Sequence, residues 1–331
     1  MKLFNLDLHV SVIADIKNVL ESMGHQVDNW SISGHCWVFN KTRDAVDIVN
    51  ENTWQNLDSN MCDAFYDRYK DELSSYDAFI SAYPPVFSLL YKKFNKPIIA
   101  VAATRYEAPF SGDNEKWNWL NQELVSMIDS GQLIPVANNK YDKFYCEYYT
   151  NREWEHIPSS CDYTESSYRP VKNNCILSSK ENYNIDQCTH IKSLGRHSWD
   201  QLYSHKAIVH IPYNASIMSI FEQYTANVPL FFPTIEFGKS LNGYLSELFF
   251  NLNTNTPPCL SDNQAIGLSD FYDEEWMPHL LFYNSFNEIS KILLDTDLME
   301  VSNNMKNFNI KRKSSIKEKW SSLLYRAALV A

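Results

Sequence analysis

Short runs of apolar residues alternate with amphipathic stretches along the chain. The clearest example begins at Ala207–Ile211 and ends at Val228–Phe232, two runs in which nearly every residue is apolar. Continuous runs of this kind are typical of parallel strands that are covered on both faces. Between them, apolar side chains at three- and four-residue spacing predict a helix over 216–226 with one face on a sheet. The segment therefore predicts a strand–helix–strand unit.

The first half repeats this alternation. The pattern predicts strands at 2–8, 26–31, 76–82, 98–102 and 133–137. It predicts helices at 11–23, 43–50, 54–70, from Pro84 onwards, and at 114–130 and 140–149. Sustained alternation of strands and helices favours an open parallel sheet.

A composition typical of a linker, with two prolines and several serines, occupies 154–170. After it the pattern predicts strands at 175–179 and 190–194 and helices at 198–204, 287–296, 298–307 and 316–330. The basic cluster 311–313 is interpreted as a solvated helix end. We therefore predict three parts: an N-terminal Rossmann-like domain over 1–155, a second one over 156–310, and a C-terminal helix over 311–331.

Composition narrows the function. The chain has 331 residues, enough for two domains, and a net charge of −11, which argues against a nucleic-acid partner. Its seven cysteines show no paired short spacing, which favours reduced thiols in a cytoplasmic protein. No apolar run is long enough for a membrane helix. The first strand–helix–strand unit lacks the glycine triplet of dinucleotide-binding proteins, so a nicotinamide cofactor is not expected.

The stretch HIPYNASIMSIFEQYTANVPLFFP, which contains Ile211 to Pro233, resembles the donor-binding segment of glycosyltransferases of the GT-B architecture. The segment HIPSSCDY at 156–163 resembles the interdomain crossing of the same family. The resemblance implies an α/β protein with two Rossmann-like domains facing a cleft, and a C-terminal helix that packs back on the first domain. It also implies a nucleoside-diphosphate sugar held by the second domain and an acceptor on the first.

Carried onto this sequence, the resemblance implies that Glu222 binds the ribose hydroxyls, since a carboxylate suits a vicinal diol. The alternative for Glu222 is a partly exposed helix glutamate in an ion pair. It places the diphosphate at the helix start near Ser216 and Ile217. Many retaining relatives have a second glutamate where this chain has Asn214, which favours an inverting reaction.

An inverting reaction needs a general base. His9 follows the first strand, where some inverting relatives have a catalytic histidine, and Asp7, Glu107 and Asp113 are the carboxylate substitutes. For His9 a packing role at the strand end is an equal alternative. For Glu107 the alternative is an ion pair with Arg105.

Two cations and an aromatic residue complete the predicted donor site. Lys180 and Arg196 follow predicted strands, where positive charge would stabilise a leaving diphosphate without a metal ion. Tyr213 could stack on the base or cover the diphosphate. The alternatives are a solvated pair of cations and a packed aromatic ring.

The sequence thus predicts a metal-independent, inverting glycosyltransferase that moves a sugar from a nucleoside-diphosphate sugar to a glycan, lipid-linked or other hydroxyl acceptor, for instance in polysaccharide biosynthesis. No cofactor is expected beyond the donor substrate. The alternatives are a sugar-nucleotide epimerase on the same architecture and a non-catalytic relative that binds a glycan or a partner.

Overall fold

A computed structural model describes residues 1–103, 107–110, 112–181, 183–241, 244 and 260–330. Thr104, Arg105 and Tyr106, and therefore the alternative ion pair of Glu107, lie outside the described residues. Contacts divide the chain into two compact units. Unit 1 comprises Met1–Ser159 and the chain from Ile316, and unit 2 comprises the described residues between Ser160 and Ser315.

Unit 1 is built on a six-stranded parallel sheet in the order β2-β1-β3-β4-β5-β6. Its strands are β1 (Lys2–Asp7), β2 (Gln26–Ser31), β3 (Ala78–Ser81), β4 (Ile98–Ala102), β5 (Leu133–Ala137) and β6 (Glu155–His156). Its helices are α1 (Val10–Ser22), α2 (Ser59–Leu73), α3 (Ser88–Tyr91), α4 (Asn114–Asp129) and α5 (Lys140–Thr150). Every residue of β3 and β4 is buried, as the continuous apolar runs predicted.

Unit 2 contains a five-stranded parallel sheet in the order β11-β10-β9-β7-β8. Its strands are β7 (Cys175–Ser178), β8 (Cys188–His190), β9 (Ile208–His210), β10 (Leu230–Pro233) and β11 (Leu281–Tyr283). Its helices are α6 (Trp199–Tyr203), α7 (Met218–Thr225), α8 (Ile235–Ser240), α9 (Asp262–Gly267) and α10 (Phe286–Asp295). The last helix, α11 (Leu298–Val330), begins in unit 2, and its residues from Ile316 onwards belong to unit 1. The predicted unit β9–α7–β10 lies in the middle of this sheet, and the prediction of two Rossmann-like α/β sheets is confirmed.

Two local predictions were wrong. No helix forms over 43–50, because Asp44 accepts a hydrogen bond from the Ser31 N–H at 2.7 Å and the backbone of Ile48 adopts a left-handed φ of 72°. The predicted strand 190–194 is instead the end of β8 followed by a 3-10 turn over Ile191–Leu194, in which His190 accepts from the Lys192 N–H. In both cases a side-chain-to-backbone bond competes with the regular element, across 13 residues for Asp44 and locally for His190.

The last helix also differs from prediction. The expected break between 307 and 316 is absent, and α11 runs unbroken for 33 residues. Arg312, predicted to be solvated, is 2% exposed and donates to Thr225 Oγ1 at 3.2 Å. Asn309 donates to the Tyr224 carbonyl at 2.9 Å. These two residues belong to the face of α11 that packs on α7 within unit 2, and that packing overrides the polar sequence pattern.

Candidate functional site

The carboxyl ends of β7 and β9 bring a cation and an aromatic ring together in unit 2. The two strands are neighbours, and Ser178 at the end of β7 pairs with His210 at the end of β9. Lys180 and Tyr213 follow within a few residues, and the Lys180 Nζ lies 5.7 Å from the centroid of the Tyr213 ring. The Tyr213 side chain is 43% exposed. A cation and an exposed ring at this edge suit a ligand with an anionic group and a flat face.

The start of α7 lies beside this pair in the sequence. Ile217 occupies the N-cap position and, being apolar, makes no side-chain cap. Ser216 and Ile217 are both buried, whereas Asn214 is half-buried in the preceding bend. The first turn of a helix has backbone N–H groups without intrahelical acceptors, and here no N-cap side chain occupies them. This arrangement suits an anion.

Glu222, on the same helix, is held in place by two side chains. The Tyr163 hydroxyl donates to Oε1 at 2.5 Å and the Trp199 Nε1–H donates to Oε2 at 3.1 Å. The carboxylate is buried, with 8% of the residue exposed. Its charge contributes to the raised pKa of Tyr213, whose main cause is partial desolvation of the hydroxyl group by the surrounding protein. Glu222 is therefore an oriented, negatively charged group within electrostatic reach of Tyr213.

Sequence reasoning missed both donors to Glu222. Tyr163 lies in the 3-10 turn Asp162–Thr164, within the segment interpreted as a linker, and Trp199 opens α6. The rings of these two residues meet edge to face, with their centroids 6.0 Å apart. In the sequence, the one indication of a role for Tyr163 was its position at the end of HIPSSCDY. The hydrophobic pattern does not pair either aromatic ring with a glutamate.

A second polar contact anchors α7 to the sheet. His210, at the end of β9, is hydrogen-bonded through Nε2 to Gln223 Oε1 at 2.7 Å. Burial lowers the pKa of His210 to about 4, so the ring is neutral at pH 7 and its Nε2–H donates. The ring also stacks on Phe232 of β10. This contact fixes the helix that carries Glu222 relative to β9 and β10.

Arg196 does not follow a strand, so its predicted placement was wrong. It lies after the 3-10 turn and Gly195, whose φ of 58° lets the chain reverse before α6. Its side chain is exposed, three residues before Trp199. Arg196 thus belongs to the segment that positions a donor to Glu222.

In unit 1, His9 lies where β1 gives way to α1. It is the N-cap residue of α1, makes no side-chain cap, and is exposed. Its ring meets that of Tyr83 edge to face at 5.6 Å. Desolvation by the surrounding atoms lowers the pKa of His9, and repulsion from His35 lowers it further. A neutral, accessible imidazole at neutral pH is suited to accept a proton.

Asp7 lies directly behind His9 and is fully buried. Its carboxylate accepts from Asn29 Nδ2 at 2.7 Å and from the Ser31 hydroxyl at 3.1 Å, and also from the His9 backbone. Burial raises the pKa of Asp7 to about 6, with Asp44 adding repulsion and the three donors opposing it. The side chain holds the start of α1, and this placement favours positioning of His9 over direct contact with a substrate.

The other two candidate carboxylates lie between β4 and α4. Asp113 is exposed and is the N-cap of α4, where its Oδ1 accepts from the Glu115 and Lys116 backbone N–H groups. Glu107 is 2% exposed, and its carbonyl accepts from the Phe110 N–H at 2.5 Å. Burial therefore disfavours Glu107 as a base for an acceptor, whereas the Asp113 carboxylate caps the start of α4.

A cavity of about 270 Å³ lies in unit 1, beside α1 and the carboxyl half of β2. Its lining includes the apolar residues Val10, Ile13 and Phe39, and also Asn29 and Ser31, the two side chains that donate to Asp7. The remaining lining residues are Ala14, Lys17, Cys36, Lys41, Thr42 and Asp44. A cavity with a mixed apolar and polar lining suits a small ligand that carries hydroxyl groups.

Two negative findings apply to the described residues. No group of three or more histidine, cysteine, aspartate or glutamate side chains in this part of the chain could hold a metal ion. Within the same residues, no helix has both the length and the apolar character needed to cross a membrane.

No protein-family model and no curated protein matches this sequence. Solved structures do match. Anabaena HepE in complex with UDP-glucose aligns over 98% of this chain and 99% of its own, with 8% identity and a TM-score of 0.53. Anabaena HepE in complex with UDP and glucose aligns over 98% of this chain and 99% of its own, with 9% identity and a TM-score of 0.51. The glycosyltransferase SnogD from Streptomyces nogalater aligns over 98% of this chain and 99% of its own, with 10% identity and a TM-score of 0.48.

At such low identity the alignment with HepE shows the fold alone. This similarity in fold agrees with the two parallel sheets of six and five strands. The alignment also spans nearly the whole chain. The chain therefore has a two-unit, Rossmann-like α/β fold of the GT-B architecture.

Proposed function

We propose that this protein is a glycosyltransferase that moves a sugar from a nucleoside-diphosphate sugar to a hydroxyl acceptor. The observation that carries the proposal is the oriented Glu222 carboxylate on α7, together with the Lys180–Tyr213 pair at the carboxyl ends of the neighbouring strands β7 and β9. These groups match a nucleoside diphosphate, which combines a diol, an anion and a flat ring. The fold supports the proposal without deciding the chemistry, since one fold hosts many reactions.

In the proposed donor complex, Glu222 accepts hydrogen bonds from the ribose hydroxyls, with its orientation fixed by Tyr163 and Trp199. The start of α7 at Ser216 and Ile217 offers backbone N–H groups to the diphosphate. Tyr213 covers the diphosphate or stacks on the base.

Lys180 and Arg196 would stabilise the charge that develops on the leaving diphosphate. The two cations then do the work that a divalent metal does elsewhere, so transfer should proceed without added metal. Lys180 is exposed and lies at the strand edge, which makes it the stronger candidate of the two.

The acceptor is proposed to bind unit 1, with its hydroxyl group at His9. The neutral imidazole removes the hydroxyl proton as the oxygen attacks the anomeric carbon, which gives inversion. Asn214 supports inversion because it stands where many retaining relatives have a glutamate. The cavity beside α1 is the candidate acceptor pocket, and its mixed lining suits a glycan or a lipid-linked glycan. A cytoplasmic role in polysaccharide biosynthesis would fit these substrates.

The test uses purified full-length protein and a panel of nucleoside-diphosphate sugars, beginning with UDP-glucose because HepE binds it. At least one member should raise the melting temperature, and the same donor should be consumed when glycan acceptors are added in the presence of EDTA. An epimerised sugar nucleotide formed without acceptor would favour the epimerase alternative. Absence of any thermal shift across the panel would overturn the proposal.

A further inference from the structure

Two thiols face each other at the start of neighbouring strands in unit 2. Cys175 opens β7 and Cys188 opens β8, and the two residues are direct register partners in the parallel ladder. Register partners on neighbouring strands project on the same face of the sheet, with backbones roughly 4.8 Å apart. Disulfides join Cα atoms that are about 4.4–6.8 Å apart, so the spacing suits a bond.

Two hydrogen bonds between the strands hold this register. The Cys175 N–H donates to the Gln187 carbonyl at 2.8 Å, and Asn174 Nδ2 donates to Thr189 Oγ1 at 2.8 Å. Within its own segment, the Cys188 N–H donates to the Ile185 carbonyl at 3.0 Å. The main chain therefore holds the two cysteines as neighbours.

The surroundings favour reaction at this pair. Interaction with the Cys188 thiol lowers the pKa of Cys175, and the Lys206 charge lowers it further, against the effect of burial. The same interaction raises the pKa of Cys188. These contacts favour the thiolate form of Cys175, and a thiolate is the reactive form of cysteine.

Access comes from the edge of the sheet. β8 is the outermost strand on its side, and Cys188 is half-buried, whereas Cys175 is fully buried. A small oxidant can reach the pair from the β8 side, but a large one would meet the strand backbone. Among the described cysteines, Cys36, Cys146 and Cys161 are buried and Cys62 is half-buried.

We propose that Cys175 and Cys188 form a peroxide-sensitive dithiol site that closes to an intramolecular disulfide. The thiolate of one cysteine attacks an oxygen of hydrogen peroxide and becomes a sulfenic acid, and the displaced hydroxide takes up a proton to become water. The sulfur of the second cysteine then attacks the sulfenic sulfur, the S–S bond forms, and a second water leaves. The two thiols lose two electrons and two protons, and the peroxide is reduced to two waters.

The bond would tie the edge strand β8 to β7 at their amino ends. The segments that follow these strands are already linked, because Lys192 Nζ donates to the Lys180 carbonyl at 2.8 Å and His190 Nε2 is bonded to the Ser179 carbonyl at 3.1 Å. A covalent link below these contacts limits the opening of β8. Oxidation should therefore raise the melting temperature and slow proteolysis within 175–188.

The experiment treats reduced full-length protein with equimolar hydrogen peroxide, blocks the remaining thiols, and maps peptides by mass spectrometry without reduction. We expect a linked peptide containing Cys175 and Cys188, a mass loss of two hydrogen atoms, and reversal by dithiothreitol. Cys188→Ser should lose the linked peptide and the rise in melting temperature. Cys146→Ser, at a buried thiol of unit 1, should keep both.

A wild-type map in which Cys175 and Cys188 stay as blocked thiols, while other cysteines are oxidised, would overturn the proposal. So would a linked peptide that joins either residue to a different cysteine. Because the map of the unmutated protein decides the result, a folding defect in Cys188→Ser would not protect the proposal.

Discussion

The helices α1 and α7 occupy equivalent places in the two units. Each follows a strand with neighbours on both sides, and each begins at a residue that makes no side-chain cap. A carboxylate accompanies both, but in different surroundings. Asp7 lies behind the helix start, buried among an amide, a hydroxyl and a backbone donor. Glu222 lies within the helix itself, held by two aromatic side chains.

The difference places different groups at two equivalent helix starts. In unit 1 the carboxylate stays behind the helix start and leaves His9 as the exposed group. In unit 2 the carboxylate is itself the oriented group, with Lys180 and Tyr213 at the nearby strand ends. The proposed reaction needs both groups: a base that removes a proton from the acceptor, and a carboxylate that binds the charged donor.

The largest expected effect tests the base of unit 1. His9→Ala should lower kcat by roughly 1000-fold with the donor KM unchanged, because a general base contributes to the transition state and not to donor binding. In the unmodified protein kcat should fall as the pH drops through the pKa of His9, which lies below its ordinary 6.5, and stay level above it. Initial rates across pH measure both effects.

His25→Ala is the matched control, because His25 lies in the same unit at the amino end of β2 and is half-buried. Its kcat should match that of the unmodified protein. A His9→Ala variant with undiminished kcat would show that His9 is not the general base and would leave only a packing role for this residue.

The next effect tests whether Asp7, behind the start of α1, is a buried acid with a raised pKa. Its pKa of about 6 in the folded state is above the value near 3.8 of an unperturbed aspartate, so folding favours the protonated form. Asp7 therefore destabilises the folded state progressively as the pH rises from about 4 to about 6, and the penalty is complete above that range. The change in stability over this window should be on the order of 3 kcal/mol.

The measurement is urea unfolding of the wild type and of Asp7→Asn at several pH values. Asn cannot ionise, so the variant should gain stability relative to the wild type as the pH rises, by the amount given above. Parallel pH profiles of the two proteins would show that Asp7 is not the buried acid that the structure describes.

A somewhat smaller effect tests whether Glu222 of unit 2 binds the donor. Glu222→Ala should weaken the binding of UDP-glucose, or of the donor found in the panel, by roughly 100-fold, since hydrogen bonds to a charged group are about twice as strong as neutral ones. Isothermal titration measures the affinity. Glu236→Ala, an exposed glutamate at the start of α8, is the control and should bind normally. Equal affinities for all three proteins would refute the donor-binding role.

The smallest effect concerns the support behind α7. Arg312 lies over Phe221 and Tyr224 and bonds to Thr225, so Arg312→Ala should cost about 2 kcal/mol of folding stability. Lys311→Ala, at the exposed neighbouring position, should stay within about 0.5 kcal/mol of the wild type. Denaturant unfolding compares them, and similar losses in both variants would contradict the packing of α11 on α7 described above.

The hydrophobic pattern was sufficient to predict most of the fold. Continuous apolar runs identified buried parallel strands such as β4 and β9, because a strand covered on both faces cannot alternate with polar residues. The pattern failed at 43–50 and at 190–194, where Asp44 and His190 bond to the backbone, and at Arg312, whose burial depends on residues far away in the sequence.

The sequence by itself determined two parallel α/β sheets and the place of Glu222 in a strand–helix–strand unit, since these follow from local periodicity. Only the tertiary structure decided what surrounds that carboxylate, because its donors Tyr163 and Trp199 come from separate segments, 59 and 23 residues away. The tertiary structure also decided the raised pKa of Asp7, which depends on burial. It likewise decided the pairing of Cys175 with Cys188, which depends on strand order. Local pattern specifies elements, whereas the contacts that set charge and reactivity form only when distant segments pack together.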